Sequence, residues 1–274
     1  TLPFMQKVYL LLFVVLVLGS AALIIRQLDK SRAARRAALL KKRLTPEQRK
    51  ELGEDFVLYT KLPTDLRDEL EGLMHVFIEE KSFEACGGLE EVSQHMQRVI
   101  AAQACLLLLR THHQHYSNLR SILLYPDAYK APGQDGSEDV RLGESWSSGS
   151  VILTWSSVLR GGRNAEDGHD VSLHEFSHQL DQDNGAGDGV PELQTSGCYK
   201  AWSDAFKPAF ETLQKRVDSG KRTVIDDYGA VNPAEFFAVS TETFYEKPKQ
   251  LQKRYPELYA QLSAYYGVDP LSWK

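Results

Sequence analysis

The chain changes hydrophobic period several times, and each change marks an element. From Val8 to Ile25 the residues are uncharged and almost all apolar. At 1.5 Å per residue that run spans ~27 Å, the depth of a bilayer core, and it predicts one transmembrane helix behind a short flank, 1–7. Residues 26–43 are basic and read as a juxtamembrane helix. From 64 to 81 the apolar residues are Leu66, Leu70, Leu73, Met74, Phe77 and Ile78, a helical stripe. Residues 89–110 predict a second long helix, apolar all round in its C-terminal half and therefore buried. Short runs rich in Ile, Leu and Val at 121–126 and 150–155 predict strands. Between them Pro132, Gly133, Gly136 and Gly143 predict a loop or hairpin. Thr45, as N-cap before Pro46, opens a helix. Further helices are expected near 168–182, 196–218, 233–246 and 249–265. The fold class expected for the body, 44–274, is α+β: mostly helical around a small β-sheet.

Charge adds a direction to this picture. Residues 1–43 carry nine Lys or Arg and one acid, Asp29. Eight of those cations follow the apolar run, which puts the body on the cytoplasmic side of the inner membrane. A cleaved signal peptide is the rival, with Gly19-Ser20-Ala21 as a small-residue site, but the basic run opposes translocation. The rest of the chain is strongly acidic, which speaks against nucleic acid as a partner. The three cysteines, Cys86, Cys105 and Cys198, form no CxxC pair and no disulfide framework.

The chemistry concentrates in the segment His174-Glu175-Phe176-Ser177-His178. On a helix the two histidines project from one side, one turn apart, and can share a Zn²⁺ ion at about 2.0–2.1 Å each. Glu175, rotated about 100° from His174, is placed to take a proton from an attacking water. Leu173, Phe176 and Leu180 form the apolar face of this helix. Asp170 can cap its start, and Asp181 can support a ligand imidazole as a hydrogen-bond acceptor. No histidine follows His178, and positions 181 and 184 are Asp181 and Asn184, which excludes the metzincin pattern. A third ligand must come from another element. Asn232 and Pro233 open a helix that carries Glu235 and, one heptad on, Glu242. Periodicity does not choose between these two, and Asn-x-x-Glu is also a capping box that needs no metal. The histidines at 112, 113 and 115 read as a solvated turn. The stretch 181–189 reads as a turn, since it lacks the EF-hand pattern.

Several ordered motifs, "HEFSHQLDQDNG", "DYGAVNPAEFFAVSTETFYEKP", "FEACGGLE", "AAQACLLLL", "ILLYP" and "GESWSSGSVILTW", resemble the Mlc titration factor A family of zinc-dependent peptidases. The resemblance runs from about 63 to 271. The family's metal site is similar to that of the anthrax lethal factor catalytic domain, a gluzincin. The resemblance implies a zincin-like metallopeptidase domain with His174, His178 and Glu235 as zinc ligands, Glu175 as general base and Tyr228 facing the metal. It implies hydrolysis of a peptide or protein substrate, with aminopeptidase-type cleavage among its forms. It places edge-paired substrate along the strand at 150–155. It also brings an Mlc-like transcriptional repressor as a partner, and with it a part in sugar-uptake regulation. The competing expectation is a zinc-containing protein that sequesters a regulator without turnover.

Overall fold

The computed structural model describes residues 3–111, 116–127, 129–132, 138–141, 143–146 and 149–273. Thr1–Lys42 and Arg43–Lys274 form two compact units. The first consists of helix α1, Phe4–Leu39. The apolar run does not end as a separate span at residue 25; it continues into the basic residues as one helix. Among the described residues no helix is long and apolar enough to cross a membrane, so the transmembrane helix expected over 8–25 is not supported.

The second unit opens with α2, Pro46–Asp55, behind the expected cap. Thr45 Oγ1 accepts from Gln48 N–H at 3.3 Å, and Gln48 Oε1 accepts from Thr45 N–H at 3.0 Å. After α3, Val57–Lys61, comes α4, Thr64–Glu80, whose apolar stripe is buried as its period requires. Glu71 on α4 is fully buried. Its carboxylate accepts from Leu44 N–H, the Arg49 guanidinium and the Tyr59 hydroxyl at 2.7–2.9 Å. One side chain thus ties the entry segment to α4.

Strand β1, Ser82–Ala85, has no apolar run to announce it; it forms by pairing parallel with β2, Ser121–Tyr125. Helix α5, Gln94–Leu106, is shorter than the expected 89–110. Ser93 caps it by accepting from Met96 N–H at 3.2 Å, whereas Leu89 has no cap to offer. Its second half, Val99–Leu106, is wholly buried, as expected. A hairpin, β3 Tyr129–Pro132 and β4 Glu138–Arg141, fills the expected loop region. Strand β5, Gly143–Trp146, then pairs antiparallel with β6, Ser150–Thr154, which pairs parallel with β2. The main sheet is therefore ordered β1-β2-β6-β5.

Thr154 leads directly into α6, Trp155–Arg163, a helix that the sequence did not announce. It is followed by α7, Val171–Gln182, α8, Ser196–Asp218, and α9, Pro233–Glu246. The single helix expected at 249–265 is two, α10 Pro248–Arg254 and α11 Pro256–Tyr266. Pro256 offers no N–H and drives Tyr255 out of the helical region, to φ −136° and ψ 66°. The body is α+β and mostly helical, as expected. Helix α7 packs against α5, α9 and the β5–β6 end of the sheet.

Candidate metal centre

Helix α7 starts where Asp170 stops the backbone. Asp170 Oδ1 accepts from Ser172 N–H at 2.8 Å and Leu173 N–H at 3.1 Å, the expected N-cap. Leu173, Phe176 and Leu180 are buried on one side. Phe176 meets Phe77 edge-on at 5.8 Å and Tyr116 at 5.4 Å. Burying such a ring contributes about 2–3 kcal/mol, enough to fix the rotation of the helix. The other side then has to present His174 and His178, whose Nε2 atoms lie 3.2 Å apart.

Helix α9 completes the cluster. Asn232 Oδ1 accepts from Glu235 N–H at 2.9 Å, and Pro233 occupies the first helical position. The Glu235 carboxylate leaves the capping box half-made and reaches α7 instead. Its Oε2 lies 3.0 Å from His174 Nε2 and 3.3 Å from His178 Nε2. Four ligands placed tetrahedrally at 2.0–2.1 Å from a metal are about 3.3 Å apart, so this triangle has the edge length of a zinc tetrahedron with one corner open. Among the described residues, His174, His178 and Glu235 form the group able to hold a metal ion.

The choice that periodicity left open is thereby made by position. Glu235 joins the two histidines. Glu242, one heptad further along the same face, reaches the far nitrogen of His174: Oε1 is 2.8 Å from Nδ1. Its Oε2 accepts from Asp170 N–H at 2.7 Å. Glu246, one turn on, accepts from Gly168 N–H at 2.7 Å and His169 N–H at 3.0 Å. The sequence signal for this arrangement was the spacing of 235, 242 and 246 on one helical face. Asp181 does not support an imidazole as expected. It turns to the backbone, with Oδ2 accepting from Gly189 N–H at 2.8 Å.

Electrostatics separates the carboxylates. Burial works against the Glu235 anion, but hydrogen bonds to His174 and His178 hold its carboxyl down at about 2. Burial pushes Glu175 up to about 7, against the pull of the same two histidines. Burial also opposes charge on His174, yet Glu235 and Glu242 together raise it well above the usual imidazole value. Two acids one helix apart thus have opposite tendencies: Glu235 stays anionic, and Glu175 readily takes a proton.

Tyr228 lies on a 3₁₀ turn, Asp227–Ala230, started by Asp226, which accepts from Tyr228 N–H at 2.9 Å. Its ring is 6.0 Å from that of His174 and is 54% exposed, so it stands at the open side of the cluster. The edge expected at 150–155 is corrected: β6 has β2 on one side and β5 on the other. Among the described residues the outer strands are β1 and β5, and β5 lies beside α7. Residues 181–189 close on themselves as the expected turn, with Asn184 bonding Val190 O and Ala186 N. The histidines at 112, 113 and 115 lie outside the described residues.

Comparison with known proteins gives the family of the whole chain. The profile of the glucose-regulated metallo-peptidase M90 matches residues 29–267. An uncharacterized protein, slr2042, of Synechocystis sp. is 38% identical over 246 residues, covering 86% of this chain and 89% of its own. Mlc titration factor A of Serratia proteamaculans is 32% identical over 213 residues, covering 71% and 77%. Mlc titration factor A of Escherichia fergusonii is 29% identical over 245 residues, covering 83% and 89%. A match over this much of the chain, around a His-His-Glu cluster able to hold a metal, places the protein in the Mlc titration factor A family, the glucose-regulated metallo-peptidase M90.

Proposed function

We propose that the protein is a zinc-dependent metallopeptidase that hydrolyses peptide bonds. The observation that carries this reading is the triangle of His174 Nε2, His178 Nε2 and Glu235 Oε2 with Glu175 buried beside it. His174, His178 and Glu235 hold the ion. When bound, it polarises the scissile carbonyl and lowers the pKa of a water. Glu175 takes the proton of the attacking water and passes it to the leaving amine. Its burial makes it a stronger base than an ordinary glutamate. The Tyr228 hydroxyl donates to the oxygen that gains charge as the carbonyl is attacked. An extended substrate pairs with the outer strand β5 and so crosses above α7. Aminopeptidase-type trimming is one form of this action, read from product analysis.

The test is metal content and hydrolysis measured on one preparation. Wild type is expected to hold about one zinc per chain, in keeping with a three-ligand catalytic site. Glu235→Ala is expected to lose it, and Glu175→Gln to keep it while losing turnover on chromogenic aminoacyl and peptide substrates. Zinc without hydrolysis on any substrate would instead favour the second reading, a binding protein. That reading takes its partner, an Mlc-like repressor, from the name of the curated relatives.

A further inference from the structure

We infer that Glu242 is a positioning residue that fixes both the orientation and the tautomer of His174; the inference rests on the metallopeptidase reading of this site. Glu242 is 5% exposed, and both of its oxygens are committed as acceptors. Oε1 faces His174 Nδ1 at 2.8 Å, and Oε2 receives Asp170 N–H at 2.7 Å. The Asp170 backbone is itself fixed, because its side chain caps α7 and its carbonyl accepts from His174 N–H at 2.9 Å. The carboxylate is therefore held at one end by the helix start and at the other by the imidazole. A carboxylate has no proton to give, so Nδ1 must be the donor. Nε2 is then the nitrogen left for a metal: it faces Glu235 Oε2 at 3.0 Å and His178 Nε2 at 3.2 Å, and its proton, shared with Glu235, is the one a metal displaces. Glu242 thus keeps the correct nitrogen of His174 available to a metal, without touching the metal or the substrate.

Glu242→Gln separates this role from packing, because it keeps the shape and replaces one acceptor with a donor. With the amide NH₂ toward Asp170 N–H, two donors face each other. With it toward Nδ1, the imidazole proton is driven to Nε2 and the lone pair is lost. The measurement is zinc affinity by chelator competition, with thermal stability of the zinc-free proteins alongside. Glu242→Gln is expected to bind zinc 10–100-fold more weakly than wild type. Glu246→Gln is the control. It lies on the same face of α9 and bonds the turn before α7, but no imidazole, so its zinc affinity is expected within about twofold of wild type. Wild-type affinity in Glu242→Gln overturns the inference and leaves the metal site standing. No zinc bound by wild type overturns the metal reading itself. If Glu242→Gln fails to fold, the imidazole ¹⁵N spectrum of the zinc-loaded wild type decides. His174 protonated at Nδ1 is expected, and Nδ1 bound to the metal would overturn the inference.

Discussion

Gly189 lies directly against Pro233, so closely that a Cβ on Gly189 would fall 2.3 Å from the Pro233 carbonyl oxygen. The backbone of Gly189 also has φ +81°, a conformation that L side chains rarely adopt. Its N–H bonds Asp181 on α7, while Pro233 begins α9 two residues before Glu235. The glycine is therefore where the loop leaving α7 presses against the start of α9. Gly189→Ala is expected to lose about 3 kcal/mol in urea unfolding, from strain and overlap together. Its zinc affinity is expected to fall as well, because Glu235 moves relative to the histidines. An unchanged unfolding midpoint would disprove the close contact.

The pH profile reports Glu175. As a base it must be ionised, so activity is present above its pKa and lost as pH falls through it. Burial, against the pull of His174 and His178, raises that value from 4.5 to about 7, and a bound dication pulls it back down. The acid limb of kcat/KM is therefore expected between those two values. A rate that stays flat down to pH 4 would remove Glu175 from the role of base.

Tyr228→Phe is expected to lower kcat/KM by about 10²-fold, the usual consequence of deleting one oxyanion donor. The ring is 54% exposed, so folding stability is expected to change by less than about 0.5 kcal/mol. Zinc content should equal that of wild type. Activity equal to wild type would leave Tyr228 as a surface residue only.

Glu71→Ala tests the entry segment. It strands Leu44 N–H and the Tyr59 hydroxyl beside a buried hole, while the half-exposed Arg49 turns to water. The expected loss is about 2–4 kcal/mol in denaturant unfolding. A loss below about 1 kcal/mol would show that the segment is held by its apolar contacts instead.

Stability should also vary with pH through Asp170 and Glu246. Burial raises both carboxyls against the backbone N–H bonds they accept; repulsion from Glu242 and Asp167 adds to it at Asp170, and repulsion from Asp170, Asp167 and Glu242 at Glu246. A raised acid binds its proton more tightly in the folded chain. The stability it contributes is complete below the ordinary glutamate value of 4.5 and is lost as pH rises above it. Glu246→Gln keeps an acceptor for Gly168 and His169 and removes the charge. The variant is expected to gain on wild type in urea unfolding from pH 6 to pH 9. Parallel curves for the two proteins would contradict the shift.

Period and capping made most of the body readable. The stripe of α4, the caps at Thr45, Asp170 and Asn232, and the buried strands β2 and β6 each follow from a local pattern. The pieces that escaped were those formed by a partner. Strand β1 carries one large apolar residue, Phe83, and exists because β2 accepts it in register. Strand β5 depends on β6 in the same way. Helix α6 continues a strand without a break in composition, and the α10–α11 boundary rests on Pro256 alone.

The sequence by itself determined the donor types, the four-residue spacing of His174 and His178, and the heptad that aligns Glu235 with Glu242. Those are properties of one helix at a time, set by 3.6 residues per turn. Which glutamate meets the histidines was decided only in three dimensions. Gly189 allows α9 to approach α7 with Glu235 level with the two Nε2 atoms and Glu242 level with Nδ1. A shift of one turn, 5.4 Å, would exchange or abolish these roles without altering a single residue. The register between two packed helices comes from long-range contacts, and no local pattern encodes it.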